Sequence, residues 1–165
     1  MPASSDDARK AAKRALSATA LFGEEAAARH LTGAGCVVVA RNWHAHPGEI
    51  DIVALCPADV GVGASANGSD GPQAEGVAAP HQQVLVFAEV RTRHGRAGLA
   101  EESISPRKAR SMAAAAYAYM AEHNLDPDAA LWRIDLIAVA MSGSRIVSIN
   151  WIRGAIDEGM AHGHM

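Results

Sequence analysis

Two short runs carry the residue types that could do chemistry: Gly48-Glu49-Ile50-Asp51-Ile52-Val53 and Leu85-Val86-Phe87-Ala88-Glu89-Val90-Arg91. Both read as β-strands, in which residues two apart point the same way. Glu49 and Asp51 therefore share one face of the first run, and Glu89 and Arg91 share one face of the second. If the strands are neighbours, three carboxylates and a cation converge. Burying such groups is costly unless they are paired or bind a metal. Hard cations such as magnesium take oxygen ligands from one or two carboxylates plus substrate phosphate. An ion held that way lowers the pKa of a bound water and neutralises charge developing on a phosphoryl oxygen. The pattern points to metal-dependent phosphodiester hydrolysis.

The surrounding elements must place these residues. Residues 1–20 form an N-terminal leader, with a Pro/Ser/Asp start expected to be mobile and a basic stretch of Arg9, Lys10, Lys13 and Arg14 expected to be helical. Gly23 is expected to break this leader from a second helix, on which Leu21, Ala27, Ala28 and Leu31 make an apolar stripe. Glu24 falls inside that stripe, because its i+3, i+4 and i+7 neighbours are Ala27, Ala28 and Leu31. Glu25 sits at its edge. Gly33 and Gly35 close the helix, and residues 36–40 read as a first strand.

Residues 57–83 lose all hydrophobic periodicity and read as a flexible insertion whose ends must lie close together if the flanking strands form a hairpin. Ser105-Pro106 then starts a helix to about His123, with Met112, Ala116, Tyr119 and Met120 on its buried side. Residues 131–139 and 146–149 read as two further strands, the last at an edge, and residues 155–165 as a polar tail. The order helix, three strands, helix, two strands predicts an α/β sandwich around a mixed sheet.

Composition narrows the function classes. The chain has 165 residues, a formal charge of -3 and a pI near 6.2, so it does not coat nucleic acid or membrane by bulk charge. A polyanion partner must be met locally. Arg91, Arg93, Arg96, Arg107, Lys108 and Arg110 supply such a patch, opposed between residues 84 and 110 only by Glu89, Glu101 and Glu102. No apolar run is long enough for a bilayer, and the start lacks the order of a signal peptide, which points to a cytoplasmic protein without a membrane partner. Cys36 and Cys56 are expected as reduced core residues. His44 and His46 before Pro47 read as an exposed turn rather than a metal site.

These residues carry a resemblance. Gly23-Glu24-Glu25-Ala26-Ala27 with Leu31, Arg41-Asn42-Trp43, Gly48-Glu49-Ile50-Asp51, Phe87-Ala88-Glu89-Val90-Arg91-Thr92-Arg93, Lys108 and Arg133-Ile134-Asp135 are similar, in order and interval, to the motifs of the YraN-like family. That family is classed as predicted endonucleases of the restriction-endonuclease-like PD-(D/E)XK superfamily. The resemblance covers residues 21–154, and its strands are usually joined by a tight turn where this chain has the insertion.

The resemblance implies a restriction-endonuclease-like fold with a central mixed sheet of about five strands flanked by helices. It implies Asp51 and Glu89 as ligands of Mg2+ or Mn2+, with Glu24 completing the site directly or through water, and DNA as partner, with branched or damaged DNA as an extension by analogy. A monomer and a homodimer are both compatible with it. Arg91 departs from it, because the family has lysine there, and a guanidinium with a pKa above about 12 is no base at neutral pH. Arg91 could hold the scissile phosphate, and hydrolysis would then rely on the metal or on Lys108 reaching in. The alternative is a catalytically silent nucleic-acid-binding module. For the acids themselves the competing reading is structural: Asp51 and Glu89 paired to Arg91 and Arg93, Glu24 paired to an arginine, and Asp135 paired to Arg133.

Overall fold

A computed structural model describes residues 5–46, 48–58, 82–95 and 104–156, with side chains from Ser17 onward. The elements are α1 (Ser5–Gly33), β1 (Val37–Ala45), β2 (Gly48–Pro57), β3 (Gln83–His94), α2 (Pro106–Glu122), β4 (Trp132–Ser142) and β5 (Arg145–Ile152). The five strands form one mixed sheet in the order β1-β2-β3-β4-β5, antiparallel except for the parallel pair β3 and β4 that α2 connects. The architecture is the α/β sandwich expected, consistent with a restriction-endonuclease-like fold.

Each helix covers one face. Ile50, Val53, Leu85, Phe87, Ile134 and Leu136 pack under Met112, Ala116, Tyr119 and Met120 of α2. On the other face Ile52, Ala54, Val86, Ala88, Ile137 and Val139 pack under Ala27, Ala28 and Leu31 of α1. The strict alternation of β3, Val84, Val86 and Ala88 to one side and Leu85 and Phe87 to the other, is what a strand buried on both faces requires. α2 starts as its sequence predicts: Pro106 opens it, and the Ser105 hydroxyl accepts the Lys108 N–H at 3.3 Å. α1 ends in a Schellman closure, with Gly35 at φ +86°, its N–H on the Thr32 carbonyl and the Cys36 N–H on the Leu31 carbonyl.

Three expectations need correction. α1 is continuous through Gly23, so the basic leader from Ser5 onward belongs to the same helix as Glu24. Leu21, expected in the apolar stripe, is exposed, because the stripe that meets the sheet begins only with Ala27. Cys36 and Cys56 are joined in a disulfide. The register that pairs Val37 with Leu55 sets the two cysteines opposite each other, with Cα atoms 4.2 Å apart, inside the α1-side core. A bridge closing a loop of this length, a sequence separation of 20 residues, stabilises a fold by about 3 kcal/mol through the unfolded chain.

Most of the insertion, residues 59–81, lies outside the described residues. Its ends meet as expected, with the Ala58 N–H donating to the Gln82 carbonyl at 2.7 Å. Residues 1–4 and the tail from 157 also lie outside them. Among the described residues no helix is long and apolar enough to cross a membrane.

Candidate functional site

The β2–β3 ladder runs from Pro57–Gln83 to Ile52–Ala88, and beyond Ala88 the strand β3 continues paired with β4 alone. The two strands therefore fork one residue before Asp51 would face Glu89. β2 also changes allegiance there, since Ile50 joins the α2-side core and Ile52 the α1-side core. At the fork the Val90 N–H, with no β2 carbonyl to receive it, donates to Asp51 Oδ2 at 2.7 Å. The Asp51 side chain thus replaces a rung of the ladder.

Burial at this point pushes the Asp51 carboxyl up from 3.8 to about 6. The Val90 hydrogen bond opposes that rise, the charges of Glu89 and Glu24 add to it, and Lys108 partly offsets it. Of the three predicted site acids, Asp51 is therefore within electrostatic reach of both Glu89 and Glu24. Glu89 is buried on the α2 side, where Lys108 Nζ lies 3.0 Å from its Oε2. That contact is ionic but lacks the alignment of a hydrogen bond, which leaves the buried oxygen without a directed donor. Among the described residues no three His, Cys, Asp or Glu side chains form a complete cation cage.

Two glycines bring the helices this close. A Cβ on Gly23 would lie 1.7 Å from Thr92 Oγ1, so only glycine lets α1 lie on β3 and carry Glu24 to the fork. A Cβ on Gly48 would lie 2.5 Å from the Ser111 carbonyl, so glycine likewise seats the β1–β2 hairpin on α2, one turn from Lys108. Gly23→Ala is expected to lower stability. Overpacking costs about 1–3 kcal/mol, and the roughly 1 kcal/mol of helix propensity gained does not offset it, because the Thr92 Cβ is itself in the way at 2.8 Å. Thermal unfolding of this variant, and of Gly23→Ala with Thr92→Ala, should show the loss and its partial recovery.

The other candidates are dispersed. Arg91 is half-buried on the same strand as Glu89, and Arg93, Arg107 and Arg110 are exposed, while Arg96 lies outside the described residues. Arg91 and Arg93 both make interactions of their own. Glu49 is exposed, its Oε2 3.6 Å from His44 Nδ1. Glu25 is held by Arg41 at 2.8 Å and Arg29 at 3.0 Å, and these cations depress its pKa. Asp135 is fully buried and structural. It accepts from Arg133 Nε at 3.0 and 3.1 Å, from Trp151 Nε1 at 2.8 Å and from the Gly154 N–H at 2.9 Å.

Sequence reasoning placed Lys108 in the basic patch, with only a secondary chance of reaching the acids. Its position three residues after the Ser105 cap fixes it to the first turn of α2, over Glu89. The signal was there in the capping pattern. The Val90 N–H had no sequence signal, since it depends on where two strands part.

The family model described as "Uncharacterised protein family UPF0102" matches residues 23–139, a span that begins at the glycine packed on Thr92. A UPF0102 protein of Chloroflexus aurantiacus is 37% identical over 136 residues, 82% of this chain and 90% of its own length. That of Roseiflexus castenholzii is 38% identical over 139 residues, 83% and 91% of the two chains. That of Frankia alni is 34% identical over 145 residues, 87% and 98% of them.

Proposed function

Since the chain belongs to the uncharacterised family UPF0102, whose name states no activity, we propose from the site itself that it is a metal-dependent nuclease-like protein hydrolysing phosphodiester bonds of DNA. The observation that carries this reading is the buried Asp51 carboxyl at the strand fork, raised to about 6 among Glu89, Glu24 and Lys108. A buried acid shifted by desolvation and by neighbouring charges is the pattern that functional sites show. The resemblance to PD-(D/E)XK endonucleases assigns the same residues to the same work.

The donor set is all oxygen, which suits Mg2+ or Mn2+. Asp51 and Glu89 would hold the ion, with Glu24 contributing through water. When bound, the cation would neutralise charge on the scissile phosphate and lower the pKa of a water. Lys108 balances the charge of Glu89, and its Nζ is the amine at the acids, coming from α2 where the family pattern has lysine two residues after the glutamate on β3. Arg91, on the face of β3 that carries Glu89, is suited to hold a phosphate oxygen and not to take a proton.

Incubation with linear, branched and nicked DNA in Mg2+ or Mn2+ is expected to give cleavage that Asp51→Ala abolishes and Lys108→Ala lowers by about ten- to a thousandfold. Failure to cut any of these substrates overturns the catalytic reading. Arg91 in the lysine position favours a second one, a DNA-binding module without catalysis. In that case Arg91→Lys would switch on cleavage that the natural protein lacks.

A further inference from the structure

Beside the acids, between the β1–β2 hairpin and the first turns of α2, is an open depression of about 440 Å³ lined by His44, His46, Gly48, Glu49, Lys108 and Ser111. Its size is that of a small-ligand pocket. Its walls are pinned, because Gly48 leaves no room between the hairpin and the Ser111 backbone. Ala45 pairs with Gly48 to close the hairpin, which sets His44 and His46 along one rim.

The lining mixes apolar and polar groups, and among the polar ones potential donors outnumber the one acid. His44 and His46 offer ring N–H groups and Lys108 an ammonium with three N–H bonds, of which the contact to Glu89 occupies one direction, while Ser111 makes an interaction of its own. The one acid, Glu49, is turned to His44 Nδ1, so the other nitrogen of that ring faces away from it. Among the described residues no three metal-ligating side chains converge, so this is not a cation cage. Donors supplied by two elements, the β1–β2 hairpin and α2, suit an anion with several acceptor oxygens, and a phosphate group has them.

We propose that this depression is a phosphate subsite adjoining the acids, with Lys108 as the shared wall. That the phosphate belongs to a nucleic acid rests on the function proposed above; that the depression takes phosphate does not. The phosphate is either the terminal group of a strand or an internal group flanking the one presented to Asp51.

The test is binding without divalent cation, in EDTA at fixed ionic strength. Labelled short single-stranded oligonucleotides with a terminal phosphate or a terminal hydroxyl are titrated by fluorescence anisotropy, with inorganic phosphate as competitor. The protein is expected to bind with millimolar phosphate competing, and His44→Ala with His46→Ala to weaken binding about tenfold, the scale of lost charge-assisted hydrogen bonds. A preference for the phosphorylated end that the double variant loses identifies a terminal group. Equal binding of both oligonucleotides, weakened equally in the double variant, identifies an internal one.

Binding that the double variant leaves unchanged, at an unchanged thermal midpoint, overturns the subsite, as does no competition by phosphate beyond that of chloride. Absence of cleavage with these binding differences intact would overturn the catalytic reading alone.

Discussion

Asp51→Asn is expected to be more stable than the natural protein at pH 7, by up to roughly 3 kcal/mol. Folding lifts this carboxyl from 3.8 to about 6, and each pH unit corresponds to about 1.4 kcal/mol. For an acid raised in this way, the folded state binds more protons than the unfolded one between the two values. Its contribution is therefore fully present below pH 3.8 and is lost as pH rises through about 6. The asparagine keeps an oxygen for the Val90 N–H and removes the charge that burial, Glu89 and Glu24 oppose.

Urea unfolding of both proteins at pH 4, 5, 6 and 7 should show curves that nearly coincide at the acid end and separate progressively toward neutrality. Equal stability at pH 7 would show that the carboxylate is not disfavoured. Mn2+ should raise the midpoint of the natural protein and leave Asp51→Asn unchanged, since an ion that binds the folded state alone stabilises it by mass action. A residue whose removal both stabilises the chain and silences it would place the cost of function at a single atom group.

Asp135→Ala is expected to act in the opposite direction, with a loss of about 3–5 kcal/mol. Removing it strands the Arg133 guanidinium, only about one-fifth exposed, together with the Trp151 and Gly154 N–H groups. Arg133 Nη2 is already buried without a partner. Replacing both partners, Arg133→Met with Asp135→Leu, should recover the ionic part of the loss. The two orphaned N–H groups would remain, at about 1–3 kcal/mol each. Denaturant midpoints of the single and double variants measure both parts, and a single-variant loss below about 1 kcal/mol would contradict the network.

The strands and α2 could be read directly, because alternation and an N-cap followed by proline are local signals that burial reinforces. The pairing of Asp135 with Arg133 was legible too, from two opposite charges two apart in an apolar strand. What could not be read depended on tertiary approach. Gly23 has the look of a helix breaker, yet its missing side chain serves the contact with Thr92 inside an unbroken helix. Cys36 and Cys56 gain their meaning only from the β1–β2 register. The three acids could be named from spacing and resemblance, but the fork that sets the protonation of Asp51 arises from the parting of two strands.

The hydrogen bond between Ala58 and Gln82 has a practical consequence. It clamps the hairpin at the end opposite the fork, seven residues from Asp51, or about 23 Å along an extended strand. The two ends of the segment between those residues are thereby joined at the far end of the hairpin from the acids. Ala58 and Gln82, both exposed, are therefore natural positions for a label or a fluorophore that reports on the hairpin from the end opposite the fork.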